Sequence, residues 1–201
     1  RPDAHFCGGA PIANGYPMPY LPEEIRFDGP LYFLYDDRQA DRIPAAVDPA
    51  EHTPEAVVAR MAQDGAICVK THYETGFGEL SGLPTPTVEM IRALVAAAHA
   101  RDMSVFLHAN AKEAQAFAVS AGADVIAHGM WNGHELHDDA LADDVEAILD
   151  QVVEDDIGYQ PTAQVLHGLD DLFDVDFLSE PRLSDVVPST LITWYRTEEG
   201  G

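Results

Sequence analysis

Three residues suited to metal binding or acid–base chemistry stand at the ends of apolar segments, namely Lys70, His108 and His128. Each follows a run of apolar residues and precedes a turn, which is typical of the last residue of a buried strand. The carboxyl ends of parallel strands converge on one face of an α/β fold, where active sites form. Neutral imidazole binds zinc and similar metals well. A single strand-end histidine is usually structural, but the ordered set predicts a metal or catalytic site.

Lys70 requires particular chemistry to act as a ligand, because an ammonium group repels cations. Burial at a strand end lowers the pKa of a lysine, and the neutral amine can then react with carbon dioxide. The product is a carbamate, an anion with two oxygens that could bridge two divalent ions. The neutral amine could instead form a Schiff base with a carbonyl substrate. The residue type alone leaves both chemistries open.

Two further residues follow Lys70 closely. His72 lies two residues beyond it, so on a strand its side chain points to the same side as that of Lys70. Tyr73 comes next, at the start of the following loop. Either side chain could bind a carboxylate or carbonyl group, so we predict His72 and Tyr73 as substrate-binding residues.

Residues 53–162 alternate between helical and strand patterns. Thr53 and Thr87 are typical helix N-caps, and Gly122 is typical of a helix end. The predicted helices are Pro54–Met61, Val88–Arg101, Ala111–Ser120 and Leu141–Val153. The predicted strands are Ala66–Lys70, Met103–His108, Asp124–His128 and Ile157–Thr162. This alternation predicts an α/β fold with a parallel sheet, either open or closed into a barrel.

The pattern is weaker on either side of these units. Residues 1–52 are interrupted by proline and glycine, which predicts loops with one short strand at Leu31–Tyr35. Residues 163–201 predict a less regular end with a final helix over Ser189–Glu199. We therefore expect residues 1–201 to form part of one barrel, made of a loop-rich entry, the βα units and an irregular end.

The composition excludes several classes of protein. Lysine and arginine number 11 against 35 aspartates and glutamates, a formal net charge of −24. Nucleic acids and anionic membrane surfaces are bound by basic faces, so we expect neither as a partner. No run of 18 apolar residues is present, as a membrane span would need, and a cytoplasmic location is favoured, with export left open. Cys7 and Cys68 are too few for a disulfide framework, and we predict two ordinary thiols.

The surplus of acidic residues predicts a dependence on salt. Repulsion at this charge density destabilises a compact chain unless salt screens it, which suggests a host with a salty cytoplasm. We expect the thermal midpoint of unfolding to rise between low and molar potassium chloride, by about 2–4 °C for each kcal/mol gained. A midpoint that does not rise would favour an acidic protein from an ordinary host.

Four ordered segments resemble the metal-dependent amidohydrolase superfamily, and in particular its prolidase and imidazolonepropionase branch. They are Gly65–Lys70, Glu89–His99, Ser104–Ala109 and Ala121–Gly129. The resemblance implies a (β/α)8 TIM-like barrel with metals at its C-terminal mouth. It implies that Lys70 is the carboxylated lysine of strand four, and that His108 and His128 are the metal-binding histidines ending strands five and six. One or two divalent ions are implied, with zinc as the default and manganese or iron also suitable.

Two parts of the superfamily pattern are absent from the chain. No His-x-His pair is present, since His134 and His137 are spaced His-x-x-His and follow the predicted strand six. The acidic stretch at residues 170–176 has no preceding strand, so the acid–base aspartate of strand eight is not identified. The simplest interpretation is an internal fragment that spans strands three to seven and is inactive by itself.

Three functions follow as hypotheses. The first is a fragment of a metal-dependent hydrolase that acts on C–N bonds of an amide, cyclic amide or dipeptide through metal-activated water. The second is a non-catalytic barrel that binds a small molecule, and the third is a Schiff-base lyase using Lys70. All three have a small-molecule partner, and an oligomer is compatible with each.

Overall fold

Five parallel strands form one sheet in the order β1-β2-β3-β4-β5. The computed structural model describes residues 4–27, 32–131, 142–172 and 177–197. The strands are β1 (Cys7–Gly9), β2 (Cys68–His72), β3 (Ser104–His108), β4 (Val125–Ala127) and β5 (Gly158–Gln160). Parallel neighbours require crossover connections, which the helices provide. The architecture is an α/β fold compatible with a partial TIM-like barrel.

Helices lie between all successive strands. They are α1 (Glu23–Arg26), α2 (Pro54–Gln63), α3 (Val88–His99), α4 (Lys112–Ala121) and α5 (Asp143–Glu154). Shorter 3-10 helices occupy Met18–Tyr20, Asp37–Arg42, Pro49–His52 and Gly78–Leu80. The helices α2 to α5 each lie within two residues of their predicted bounds, and the four later strands lie within two residues of theirs.

Local capping explains where these helices begin and end. The Thr53 hydroxyl accepts a hydrogen bond from the N–H of Ala56 at 3.2 Å, and the Thr87 hydroxyl accepts one from Met90 at 3.2 Å. Gly122 ends α4 with φ 74, a left-handed conformation that favours glycine. These contacts satisfy backbone groups that have no partner within the helix, and they confirm the predicted N-caps and helix end.

The core lies between the sheet and one layer of helices. Along β2 the residues alternate, with Val69 and Thr71 buried and Cys68, Lys70 and His72 half-buried. Apolar residues of β3 and β4 continue the buried side, and α2 and α3 cover it with fully buried side chains. These are Val105, Leu107, Ile126, Val57, Val58, Met61, Ile91 and Leu94. The alternation therefore leaves Lys70 and His72 on the side of the sheet away from the helices.

The loop-rich entry has a smaller core of its own. Met18 and Phe33 are 1% exposed and pack with Ala13 and Ile43. The Phe33 ring also stacks on His52, with ring centroids 3.8 Å apart. This packing orders the segment after β1, although the segment contains little regular structure.

Two predictions for the entry segment were wrong. Residues 7–9 form β1, where loops were expected, because the sequence Cys-Gly-Gly has no apolar alternation and the strand exists through its pairing with β2. In the predicted strand at Leu31–Tyr35, residue 31 lies outside the described residues. The described residues 32–35 form no strand, and Leu34 makes only an isolated bridge to Ile12.

A disulfide joins Cys7 of β1 to Cys68 of β2, so the prediction of two ordinary thiols was wrong. The two residues are register partners on adjacent strands, and their Cα atoms lie 4.4 Å apart. A separation of 61 residues hides this proximity in the sequence. Disulfides persist mainly in oxidising compartments, which weighs against the cytoplasmic location expected above.

Residues 162–201 form a second compact unit, separate from residues 1–161. Its helices are α6 (Ala163–Leu172), the 3-10 helix Phe177–Ser179, α7 (Leu183–Val186) and α8 (Ser189–Tyr195). Leu178 and Ile192 are buried within it, and the Arg196 guanidinium donates to the Leu178 carbonyl. This end is thus more helical than predicted, and the predicted final helix stops at Tyr195. Within the described ranges of both units, we find no helix with the length and apolar character of a bilayer span.

Candidate functional site

The carboxyl-terminal parts of β2, β3 and β4 bring the predicted residues together, although Lys70, which was predicted to end its strand, lies two residues before the end of β2. His72 and His108 are register partners, and His128 follows Ala127, the register partner of His108. The ring centroids of His72 and His108 lie 5.6 Å apart, and those of His108 and His128 lie 4.6 Å apart. Lys70 lies close enough to lower the pKa of all three imidazoles. These four residues are called the strand-end cluster below.

Burial is the largest influence on the protonation of the strand-end cluster. It lowers the pKa of Lys70 to about 8. Burial, followed by repulsion from the neighbouring cluster residues, lowers the pKa of His72 to about 3. The same causes, with burial again first, lower the pKa of His108 and of His128 to about 4. At neutral pH the imidazoles are therefore uncharged, the form that binds metal ions.

The backbone at His128 has an uncommon conformation. Its φ is 83, in the left-handed region that non-glycine residues rarely occupy. Hydrogen bonds from the N–H groups of His128 and Gly129 to the carbonyls of Gln160 and Pro161, 2.8 and 2.9 Å long, hold this turn against β5. Such conformations concentrate at functional sites, and this one places the His128 ring beside that of His108.

Two residues that the sequence did not predict adjoin the strand-end cluster. Tyr16, from the entry segment, has its ring centroid 5.5 Å from that of His72 and 5.2 Å from that of His108. Glu74 is buried, and its Oε2 lies 3.3 Å from Nε2 of His108. Neither residue lies in a strand or shows a spacing that marks it, so the sequence carries no signal for either.

The predicted substrate-binding residues occupy different places. His72 lies in the strand-end cluster, and its Nδ1 is buried without a hydrogen-bond partner among the described residues. The Tyr73 ring packs against Phe117 of α4, with centroids 4.4 Å apart. The structure therefore brings His72 into the site and does not bring the Tyr73 ring there, because successive residues point to opposite sides of a strand end.

One further polar group, the indole of Trp131, lies beside the cluster. The Trp131 ring lies 5.2 Å from that of His128, and its indole nitrogen is buried without a hydrogen-bond partner among the described residues. His134 and His137 lie outside the described residues, as do Asp174 and Asp176 of the acidic stretch. In the described part of the chain, no three His, Cys, Asp or Glu side chains form a group that could hold a metal ion. Lys70 is not one of these residue types, and its nitrogen or the oxygens of its carbamate could be a further donor for a cation at this place.

The chain resembles solved structures in fold. No family model and no curated protein matches the sequence. The ochratoxinase of A. niger is 18% identical, covers 83% of this chain and 37% of its own, and superposes with a TM-score of 0.56. A Xaa-Pro dipeptidase with bound methionine in the active site and an amidohydrolase are 21% and 23% identical. They cover 86% and 77% of this chain and 44% and 42% of their own, each with a TM-score of 0.42.

The chain thus spans about two fifths of the length of these structures. The last two superpositions are too loose to carry an argument, so the ochratoxinase structure is the informative one. At 18% identity, its likeness establishes the fold. The chain has the α/β fold of that structure over most of its length.

Proposed function

We propose that the chain is part of a metal-dependent hydrolase of the amidohydrolase superfamily, acting on a C–N bond of an amide, cyclic amide or dipeptide. The observation that carries the proposal is the strand-end cluster, in which an amine and three imidazoles from three strands meet at one edge of a parallel sheet. The superfamily resemblance of the sequence supplies the type of reaction. The likeness in fold to ochratoxinase agrees with both.

The residues of the cluster fit a divalent cation in their donor chemistry. His108 and His128 are neutral near pH 7, and Lys70 has a pKa of about 8, so about a tenth of its amine is uncharged at pH 7 and free to form a carbamate. Two imidazoles and a carbamate oxygen are a donor set suited to zinc. A bound metal of this kind lowers the pKa of water and polarises a carbonyl group.

The chain's own residues then bind and orient the substrate. His72 carries a buried ring nitrogen without a partner among the described residues, and a substrate carbonyl or carboxylate could satisfy its N–H. The Tyr16 ring covers His72 and His108 from the entry segment and limits access of water to them. We assign substrate contact to His72 and Tyr16, with Tyr73 supporting the strand end through its packing on α4.

On this proposal the chain supplies only part of the active site. Since the chain spans about two fifths of the solved neighbours, we propose that it supplies part of the metal cage and one wall of the pocket. The acid–base carboxylate of the reaction is not assigned to a residue of this chain. We expect the chain by itself to bind a cation and to lack turnover.

Metal binding tests the proposal directly. Purified chain is incubated with Zn²⁺ and bicarbonate, desalted, and assayed for zinc per chain, alongside Lys70→Ala, His108→Ala and His128→Ala. Each change removes a donor, so we expect each to weaken zinc binding by at least about tenfold. Depleting carbon dioxide should weaken binding by the unmodified chain and leave Lys70→Ala unaffected.

Lys112→Ala is the matched control, because the other lysine is paired with Asp144 on α5 and lies outside the cluster. It should bind zinc like the unmodified chain. Zinc content that is the same in all four variants would refute the metal site.

The pKa of Lys70 also supports a second candidate, a Schiff-base lyase. Borohydride reduction in the presence of a carbonyl substrate would then trap a covalent adduct on Lys70. An adduct that is absent from Lys70→Ala and still forms in the presence of zinc and bicarbonate would favour this chemistry over the carbamate. If the full-length protein binds zinc and catalyses neither reaction, the non-catalytic small-molecule-binding barrel would be the better interpretation.

A further inference from the structure

The buried pair formed by Glu74 and His108 suggests a role that the proposed function does not include. We propose that Glu74 is a positioning residue that accepts a hydrogen bond from Nε2–H of His108 and leaves Nδ1 as the nitrogen available to a cation. The inference rests on the proposed function in one respect, namely that a cation binds at this site. The hydrogen bond and the tautomer it selects are properties of the chain without metal.

The two atoms of the pair lie within hydrogen-bonding distance, and the chemistry of the two groups favours one direction for the hydrogen bond. Nε2 of His108 lies 3.3 Å from Oε2 of Glu74, and the two side chains are 8% and 7% exposed. Carboxylate oxygens accept hydrogen bonds, so in the proposed arrangement Nε2 of His108 is the donor and carries the proton. An imidazole that carries its proton on Nε2 has its free lone pair on Nδ1. Carboxylates that orient metal-binding histidines in this way are common around metal sites.

The local backbone holds the Glu74 carboxylate in place. The second oxygen of Glu74 accepts a hydrogen bond from the N–H of Gly76 at 2.9 Å. Gly76 has φ 93, and a Cβ at this position would lie 1.8 Å from the Leu80 carbonyl oxygen, so the turn needs glycine. On the other side, the Tyr73 ring is packed on Phe117. Gly76 and Tyr73, on either side of Glu74 in the chain, thus restrict where its carboxylate can lie.

The burial of Glu74 supports a specific role for its contact with His108. Removing a carboxylate from water is unfavourable unless it is paired with a hydrogen-bond donor or an opposite charge. Within the described residues, the pairing groups are His108 and the Gly76 N–H. A buried carboxylate is therefore poorly explained by packing and well explained by the orientation of His108.

Direct coordination by Glu74 is the competing arrangement. Two ligands of a tetrahedral zinc ion with bonds of about 2.0–2.1 Å lie roughly 3.3 Å apart, so the observed separation would also suit a cation held between the two atoms. That arrangement requires Nε2 of His108 to carry no proton in the zinc-loaded chain. The two arrangements therefore predict opposite tautomers.

Long-range ¹H–¹⁵N NMR of histidine-labelled chain distinguishes them. Near neutral pH we expect the Nε2–H tautomer at His108 both without metal and with Zn²⁺. In Glu74→Gln we expect the metal-free ring to lose this preference, because the amide offers both a donor and an acceptor. Zinc binding by this variant should weaken about 10- to 100-fold. Glu79→Gln, in the same loop but exposed, is the matched control and should behave like the unmodified chain.

An Nδ1–H tautomer at His108 in the unmodified chain would overturn the proposal, with or without zinc. So would unchanged zinc affinity and tautomer in a folded Glu74→Gln variant. If this variant does not fold, the tautomer of the unmodified chain still decides. A chain that binds no zinc would refute the proposed function, while the metal-free tautomer would still decide the role of Glu74.

Discussion

Replacing Cys7 and Cys68 together with alanine should lower the free energy of unfolding by about 4 kcal/mol. The disulfide closes a loop of 61 residues, and loop-closure entropy of the unfolded chain predicts a stabilisation of that size. The bond also secures β1, a strand of three residues that pairs only with β2 in the described sheet. Urea unfolding of the oxidised chain and of the double variant measures the difference.

The reduced, unmodified chain is the control for this experiment. It keeps both sulfur atoms, so its stability should fall close to that of the double variant if the covalent link is responsible. A difference below about 1 kcal/mol between the oxidised and reduced chains would contradict the prediction.

Loss of the disulfide should also affect the strand-end cluster. Beyond β1, the Ala10 N–H donates to the Lys70 carbonyl at 2.7 Å, and the Thr71 hydroxyl donates to the Ala10 carbonyl at 2.8 Å. The chain then continues to Tyr16, whose ring covers His72 and His108. Freeing β1 loosens this cover, so the same variants should exchange the backbone amides of residues 69–72 faster with solvent.

Acid should destabilise the metal-free chain through the strand-end cluster. His108 titrates near pH 6.5 when unfolded and near 4 when folded, because burial opposes its charge. Between these values the unfolded chain binds more protons, so stability from this residue is complete above about pH 6.5 and is lost as the pH falls towards about 4. For His108 the loss amounts to about 3 kcal/mol.

Urea unfolding in the presence of a chelator, at a series of pH values, measures this effect. Carboxylates also titrate in the acid range, so the informative quantity is the difference between the unmodified chain and His108→Asn. The variant should lose less stability on acidification, by about 3 kcal/mol. His5→Asn, at an exposed position outside the cluster, is the matched control. Parallel profiles for His108→Asn and the unmodified chain would contradict the prediction.

The βα units were predictable because their signals are local. The side chains of Thr53 and Thr87 accept hydrogen bonds from backbone N–H groups three residues away. Gly122 adopts a positive φ without the strain that a side chain would cause. The apolar periodicity of α3 extends over 12 residues and the apolar run of β3 over 5, so each signal lies within a short stretch of sequence. Strand ends follow from the same signals, which is why Lys70, His108 and His128 were expected to meet.

Glu74 and Tyr16 were beyond the reach of such signals. Glu74 is placed by a turn that depends on Gly76 and on a histidine 34 residues away. Tyr16 lies between Ala13 and Met18 of the small core, in a segment with little regular structure, and its contacts with His72 and His108 are distant in sequence. In both cases the decisive contacts join residues that are distant in the chain and have no shared period.

The amino-acid sequence by itself determined the order of the βα units, their caps and the end of β3 at His108, since each depends on interactions within one turn or one strand. Only the tertiary structure decided the pairing of β1 with β2, the disulfide between Cys7 and Cys68, and the side to which Tyr73 points. The physical reason is that register between strands is set by the packing of whole faces. Residues 61 positions apart become neighbours only when those faces meet.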